Sequence, residues 1–72
     1  MQRVATMSFI VMANYGLPHR PSTLTYRVCY NGDNETEARA AMNAAPLEQE
    51  GSPLRVARVW TDGHSIAERM MP

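Results

Sequence analysis

Lysine is absent from this 72-residue chain, and all seven of its cations are arginines. Each positive charge is therefore a planar fork suited to carboxylates, phosphates and aromatic faces. An excess of either sign is missing too, because seven basic and seven acidic residues give zero net charge. That argues against a general nucleic-acid binder, which needs surplus cations to neutralise phosphates, and equally against an acidic mimic of DNA. Cysteine occurs once, at Cys29. A disulfide framework is thus excluded, and a lone thiol suits a reducing cytoplasm. No apolar run approaches the roughly 18 residues that a membrane span needs. The stretch MQRVATMSFIVMANYG has one arginine and a short apolar run broken by Thr6 and Ser8. It reads as a strand rather than as a cleaved leader. The chain is expected to form one small domain, 1–72, that buries roughly 60% of its unfolded surface and is marginally stable.

Motifs that gather reacting groups are also missing. There is no glycine-rich phosphate loop, no paired-histidine helix and no nucleophile elbow. His19 sits in a proline-flanked loop and His64 follows a turn. As metal ligands they would need Cys29 or Asp62 beside them, and loop histidines are usually solvated. Cys29 with either histidine could form a thiol–imidazole pair, but an isolated strand cysteine is more often a small packing residue. The expectation is a non-enzyme with no cofactor and no metal.

What the chain does contain is clear local patterning. Residues from about Arg3 to Ala13 read as a first strand, and the consecutive Phe9, Ile10, Val11 and Met12 suggest a central one, covered on both faces. NYGLPHRPS, Asn14 to Ser22, reads as a loop with Tyr15 exposed in it. TLTYRVCY alternates, with Leu24, Tyr26, Val28 and Tyr30 inward and Thr23, Thr25, Arg27 and Cys29 outward. Asn34 can cap a helix, with Glu37 as its reciprocal partner. The helix runs to about Ala45, before Pro46, and turns a stripe of Ala38, Ala41, Met42 and Ala45 toward the sheet. Glu35 and Arg39 pair at i,i+4 on its wet side. PLEQEGSP reads as a solvated loop.

The stretch LRVARVWTDGH, Leu54 to His64, is the least ordinary part. Asp62-Gly63 signals a two-residue hairpin turn with positive φ at both central residues. Pairing outward from it sets Thr61 opposite His64, Val59 opposite Ile66 and Ala57 opposite Glu68. One face then carries Ala57, Val59, Ile66 and Met70. The other carries Leu54, Val56, Trp60, Ala67 and Met71, with Arg58 and Arg69. A bulge near Ala57 would instead merge Leu54, Val56 and Val59. The expected fold is α+β, in the order β-β-α-β-β, an antiparallel sheet with one helix packed across one face. A single short helix covers only one face, yet both hairpin faces are apolar. Trp60 either closes the end of the core or stands on the open face, where tryptophan and arginine favour interfaces. The candidate partner-binding residues are Trp60, Arg58, Arg69, Arg55, Arg27 and Tyr15. Six methionines add adaptable filling to core or interface.

The layout of TYRVCYNGDNETEARAAMNAAP followed by the hairpin RVARVWTDGHSIAERM resembles that of some small phage-encoded anti-CRISPR proteins. The resemblance covers most of the chain as architecture and carries over no individual residue. It implies a cytoplasmic, non-catalytic inhibitor of a bacterial host that sterically blocks a protein partner, here a CRISPR effector complex. Two other readings remain open. A small nucleic-acid-binding module could stack bases on Trp60 and use Arg27, Arg55, Arg58 and Arg69 for phosphates. A homodimer could cover the second sheet face with itself.

Overall fold

The computed structural model describes residues 7–17, 19, 20, 22 and 24–71. Arg3 to Thr6, expected to open the first strand, and Thr23, expected in the second, lie outside the described residues. The elements follow the order β1 (Phe9–Tyr15), β2 (Thr25–Gly32), α1 (Glu35–Asn43), β3 (Glu48–Gln49), β4 (Ser52–Thr61) and β5 (His64–Met70). Apart from the two-residue β3, this is the expected β-β-α-β-β series on one antiparallel sheet. Strand β1 lies between β2 and β4, and β5 pairs with the other side of β4. The run of four apolar residues in β1 thus did mark a central strand. It is not covered on both faces, because Ile10 remains exposed.

Local chemistry fixes the ends of α1. The Asn34 side chain accepts a hydrogen bond from the Glu37 amide at 2.9 Å. The reciprocal half of the capping box runs through a third residue. The Asn34 amide donates to the Tyr30 hydroxyl at 3.2 Å, and that hydroxyl donates to Glu37 Oε1 at 3.2 Å. A phenol from β2 thereby ties the helix N-terminus to the sheet. At the other end no basic residue occupies the last turn of α1. The cation comes instead from β5, where the Arg69 guanidinium donates to the carbonyls of Asn43 (3.0 Å), Met42 and Ala45 (both 3.4 Å). Positive charge at a helix C-terminus interacts favourably with the macrodipole, and the guanidinium supplies donors to carbonyls at and just beyond the helix end.

The core fills the space between α1 and one face of the sheet. Phe9, Val11, Ala13 and Tyr15 of β1 meet Leu54, Ala57 and Val59 of β4 and Ala38, Met42 and Ala45 of the helix segment. Ala41 is only partly buried at the edge of that contact. Small side chains on α1 let its backbone approach the sheet closely, which suits a nine-residue helix with little area to bury. No buried side-chain nitrogen or oxygen among the described residues lacks a partner. Thr61, buried at the end of β4, donates to the Ser8 carbonyl at 2.8 Å.

Two hairpin turns among the described residues have positive φ at their two central residues, Asp62 and Gly63 as expected, and also Glu50 and Gly51. The second turn was not anticipated. It folds PLEQEGSP into a small hairpin in which Glu48 and Gln49 pair with Pro53 and Ser52, correcting the expectation of a solvated loop. No helix among the described residues is long and apolar enough to cross a membrane.

Candidate functional site

Three one-residue bulges decide which side chains face the helix. Strand β2 carries Cys29 as an extra residue between the pairs Val11↔Tyr30 and Met12↔Val28. Strand β4 carries Arg55 between Asn14↔Val56 and Tyr15↔Leu54. Strand β5 carries Ile66 between Val59↔Ala67 and Trp60↔Ser65. Each insertion moves the residues beyond it to the opposite face relative to simple alternation.

The face away from α1 is built from cross-strand rows. One runs Tyr26, Asn14, Val56, Met70 from β2 through β1 and β4 to β5. The next runs Val28, Met12, Arg58, Glu68. In the third, Ile10 and Trp60 stand side by side, with Ser65 and the bulged Ile66 next to them. Val56 within the first row is buried and Met12, Asn14 and Trp60 are half-buried, while other side chains of these rows are open. Tyr26 is 65% exposed and Met70 is 66% exposed, with Val28 and Ile10 also open to solvent. Arg58 Nε donates to Glu68 Oε2 at 2.8 Å, with both side chains partly exposed. At one end lies a groove of about 520 Å³ lined by Leu24, Arg55, Val56, Arg58, Met70 and Met71 among others.

The residues expected to bind a partner divide between the two faces. Trp60 and Arg58 lie on the open face, and Arg55 stands on its bulge at the rim of the groove. Trp60 is half-buried rather than enclosed, because it packs beside Ile10 with no helix above it. Arg69 does not join them. The bulge at Ile66 pairs it with Ala57 on the helix side, where it holds the helix C-terminus. The expected pairs Val59–Ile66 and Ala57–Glu68 are therefore replaced by Val59–Ala67 and Ala57–Arg69. Arg27 pairs with Ala13 on the helix side and is exposed beyond the edge of α1. Tyr15 is not an exposed loop residue. Strand β1 runs on to include it, its ring is fully buried, and its hydroxyl donates to the Pro46 carbonyl at 2.7 Å.

Two further corrections follow from the bulges. Tyr26 and Tyr30 were expected on one inward face. Cys29 separates them, sending Tyr30 to the helix cap and Tyr26 to solvent. The bulge weighed near Ala57 as an alternative occurs, but at Arg55. It unites Leu54 with Ala57 and Val59 in the core and leaves Val56 on the open face. The residues that sequence reasoning missed on that face are Tyr26, Val28 and Met12. The period-two spacing of Tyr26 and Val28 with Leu24 was visible; the side they face was not.

The titratable groups near the core show the effect of burial. Loss of solvent pushes the Tyr15 phenol upward, with the Cys29 thiol adding to the shift, while Arg27 and Arg69 oppose it. Burial likewise raises the Cys29 thiol, and Arg27 partly offsets that rise. Neither shift produces an activated nucleophile, since a raised thiol is less ionised at neutral pH. Among the described residues no group of three or more His, Cys, Asp or Glu side chains is placed to hold a metal ion.

No protein-family model, no curated protein and no solved structure matches this chain at a significant level.

Proposed function

We propose that this protein acts by binding, not by catalysis, and that its open sheet face docks a protein partner and blocks it sterically. The observation that supports this reading is the concentration of exposed apolar side chains on one face. Ile10, Leu24, Tyr26, Val28, Ile66 and Met70 are exposed large hydrophobics on or beside the open rows. Scattered single apolar residues are ordinary on protein surfaces, but a contiguous patch points to an interaction site. Trp60 and Arg58, neighbours on that face, are of the types that dominate interface energetics. The partner suggested by the architectural resemblance is a bacterial CRISPR effector complex, which would place the protein in the host cytoplasm.

Expression of the protein in cells whose CRISPR effector restricts a phage tests this directly. Restored plaque formation is expected with the wild-type chain and lost with Trp60→Ala. In a titration against the purified effector, that substitution should weaken binding by about 2 kcal/mol or more. Its effect on the thermal melt should stay below the ~3–5 kcal/mol typical of a core aromatic, because Trp60 is not fully enclosed. A panel of effectors left unaffected by the wild-type chain would reject them as partners. Docking does not call on His19, Cys29 or His64, so the triple alanine variant should keep full inhibitory activity; loss of activity in a folded triple variant would point to chemistry instead.

A second reading has one observation in its favour. Tyr26 and Trp60 share the open face with Arg58, and Arg55 stands at its rim, a set able to stack bases and contact phosphates. Arg58 is already held by Glu68, which reduces the cationic surplus that such binding requires. Trp60 fluorescence quenching by single-stranded DNA, with a steep salt dependence, would favour this reading over protein docking.

A further inference from the structure

We infer that the groove at the Arg55 end of the sheet binds a small amphipathic monoanion, an alkyl carboxylate. Its headgroup is held at Arg55 and its chain lies against Leu24, Met70 and Met71. The groove measures about 520 Å³, within the roughly 300–1,000 Å³ of small-molecule sites. Its lining is also of the kind such sites have, apolar walls with a few converging polar groups.

The bulge on β4 builds this groove. The extra residue, Arg55, and the next one, Val56, both line it. Simple alternation would send these neighbours to opposite faces, and a bulge is where a strand re-aims a side chain. Two backbone hydrogen bonds hold the bulge in place. The Met71 amide donates to the Arg55 carbonyl at 3.0 Å, which lays the chain beyond β5 beside the bulge and makes Met71 a wall of the groove. The Gly16 amide donates to the Pro53 carbonyl at 3.0 Å and ties the chain after β1 to the start of β4. Arg55 therefore stands on a fixed backbone, as a positioned binding group requires.

Charge decides the class of ligand. The groove is lined by two guanidinium groups and, among the described residues, by no carboxylate. Arg58 is offset by Glu68, which it meets through Nε at 2.8 Å. The Arg55 guanidinium has no ion pair and no hydrogen bond among the described residues. One unbalanced cation matches one negative charge, so a carboxylate neutralises the groove where a phosphate dianion would overshoot. The planar fork of arginine also fits a carboxylate with two parallel hydrogen bonds. The Asn14 carboxamide, on the same lining, has N–H donors for the remaining lone pairs of the carboxylate. The apolar part of the ligand follows from the walls. Leu24 and Met70 are exposed large hydrophobics, and an alkyl chain laid along them removes that surface from water. Methionine side chains adjust to a flexible chain better than branched ones do.

Decanoate, titrated below its micellar concentration into isotope-labelled protein and followed by NMR, tests this site. The purified chain is used alone, so the result is independent of whether a protein partner docks on the open face. Saturable shifts are expected at the amides of Asn14, Leu24, Arg55, Met70 and Met71. Decanol lacks the charge and butanoate lacks the chain, and each should bind roughly tenfold or more weakly than decanoate. Arg55→Gln should weaken decanoate roughly tenfold and leave decanol unchanged. Arg55→Glu should reverse the preference, so that decyltrimethylammonium binds better than decanoate. Arg55 is exposed, so the thermal melts of both variants should match the wild type. The absence of saturable shifts with decanoate overturns the inference. So do shifts spread evenly over the open face, which mark surface adsorption, and so does equal decanoate binding by the wild type and a folded Arg55→Gln variant.

Discussion

Ala38→Glu should unfold this protein. Ala38 has no exposed surface and packs in the core cluster on the side of α1 that faces the sheet. A glutamate there would place a carboxylate among Val11, Val59 and their neighbours with no cation built to receive it. An unpaired buried charge costs several kcal/mol even after relaxation. A domain of this size has a total stability of about 5 kcal/mol, so the expected product is an unfolded chain with a collapsed NMR dispersion. Ala40→Glu is the control. Ala40 lies on the exposed side of the same helix, and the same charge there should change stability by less than about 0.5 kcal/mol. Ala41, partly buried, should fall between the two. A folded Ala38→Glu protein with a native-like spectrum would mean that α1 packs by a different face.

Tyr15→Ala is expected to be nearly as damaging, for a different reason. Tyr15 is the largest fully buried side chain among the described residues. Removing a buried aromatic ring costs about 3–5 kcal/mol through lost transfer energy and the cavity left behind. Tyr15→Phe separates ring from hydroxyl. It keeps the packing but leaves the Pro46 carbonyl without its 2.7 Å donor, at about 1–2 kcal/mol. The hydroxyl also makes a pH prediction. Burial raises the Tyr15 phenol in the folded state, so on alkalinisation the unfolded chain loses that proton first. Between the unfolded and folded values the native state binds more protons, and stability falls as pH rises. The wild type should therefore lose its advantage over Tyr15→Phe above about pH 10, where free tyrosine ionises. Urea titrations of both proteins at neutral and alkaline pH read this directly. A stability gap that stays constant across that range would show that Tyr15 ionises equally in both states.

Much of the fold is legible from residues close together in sequence. Asn34 and Glu37 mark the helix start because their side chains can reach amides only three residues away. Asp62-Gly63 marks its turn because few residue pairs tolerate positive φ at both positions. The order of elements follows from alternation and periodicity in short windows. These signals are local, and the structure keeps them. The Glu50-Gly51 turn was readable on the same backbone grounds, yet the polar composition around it reads as loop. Strand β3 exists because a two-residue turn returns the chain against the start of β4, not because Glu48 and Gln49 favour extension.

What the sequence by itself determined is therefore the four long strands and the helix, the Asn34 cap and the Asp62-Gly63 turn. The tertiary structure alone decided which side of each strand faces the helix. A bulge adds one residue at a position set by pairing with the neighbouring strand, and nothing in period-two alternation reports it. The extra residue at Cys29 parts Tyr26 from Tyr30. The one at Arg55 brings Leu54 into the core, and the one at Ile66 carries Arg69 around to the helix C-terminus. Each of those residues has the same local sequence on either side. Only contact with the adjacent strand, where a one-residue shift exchanges core for solvent, selects between them.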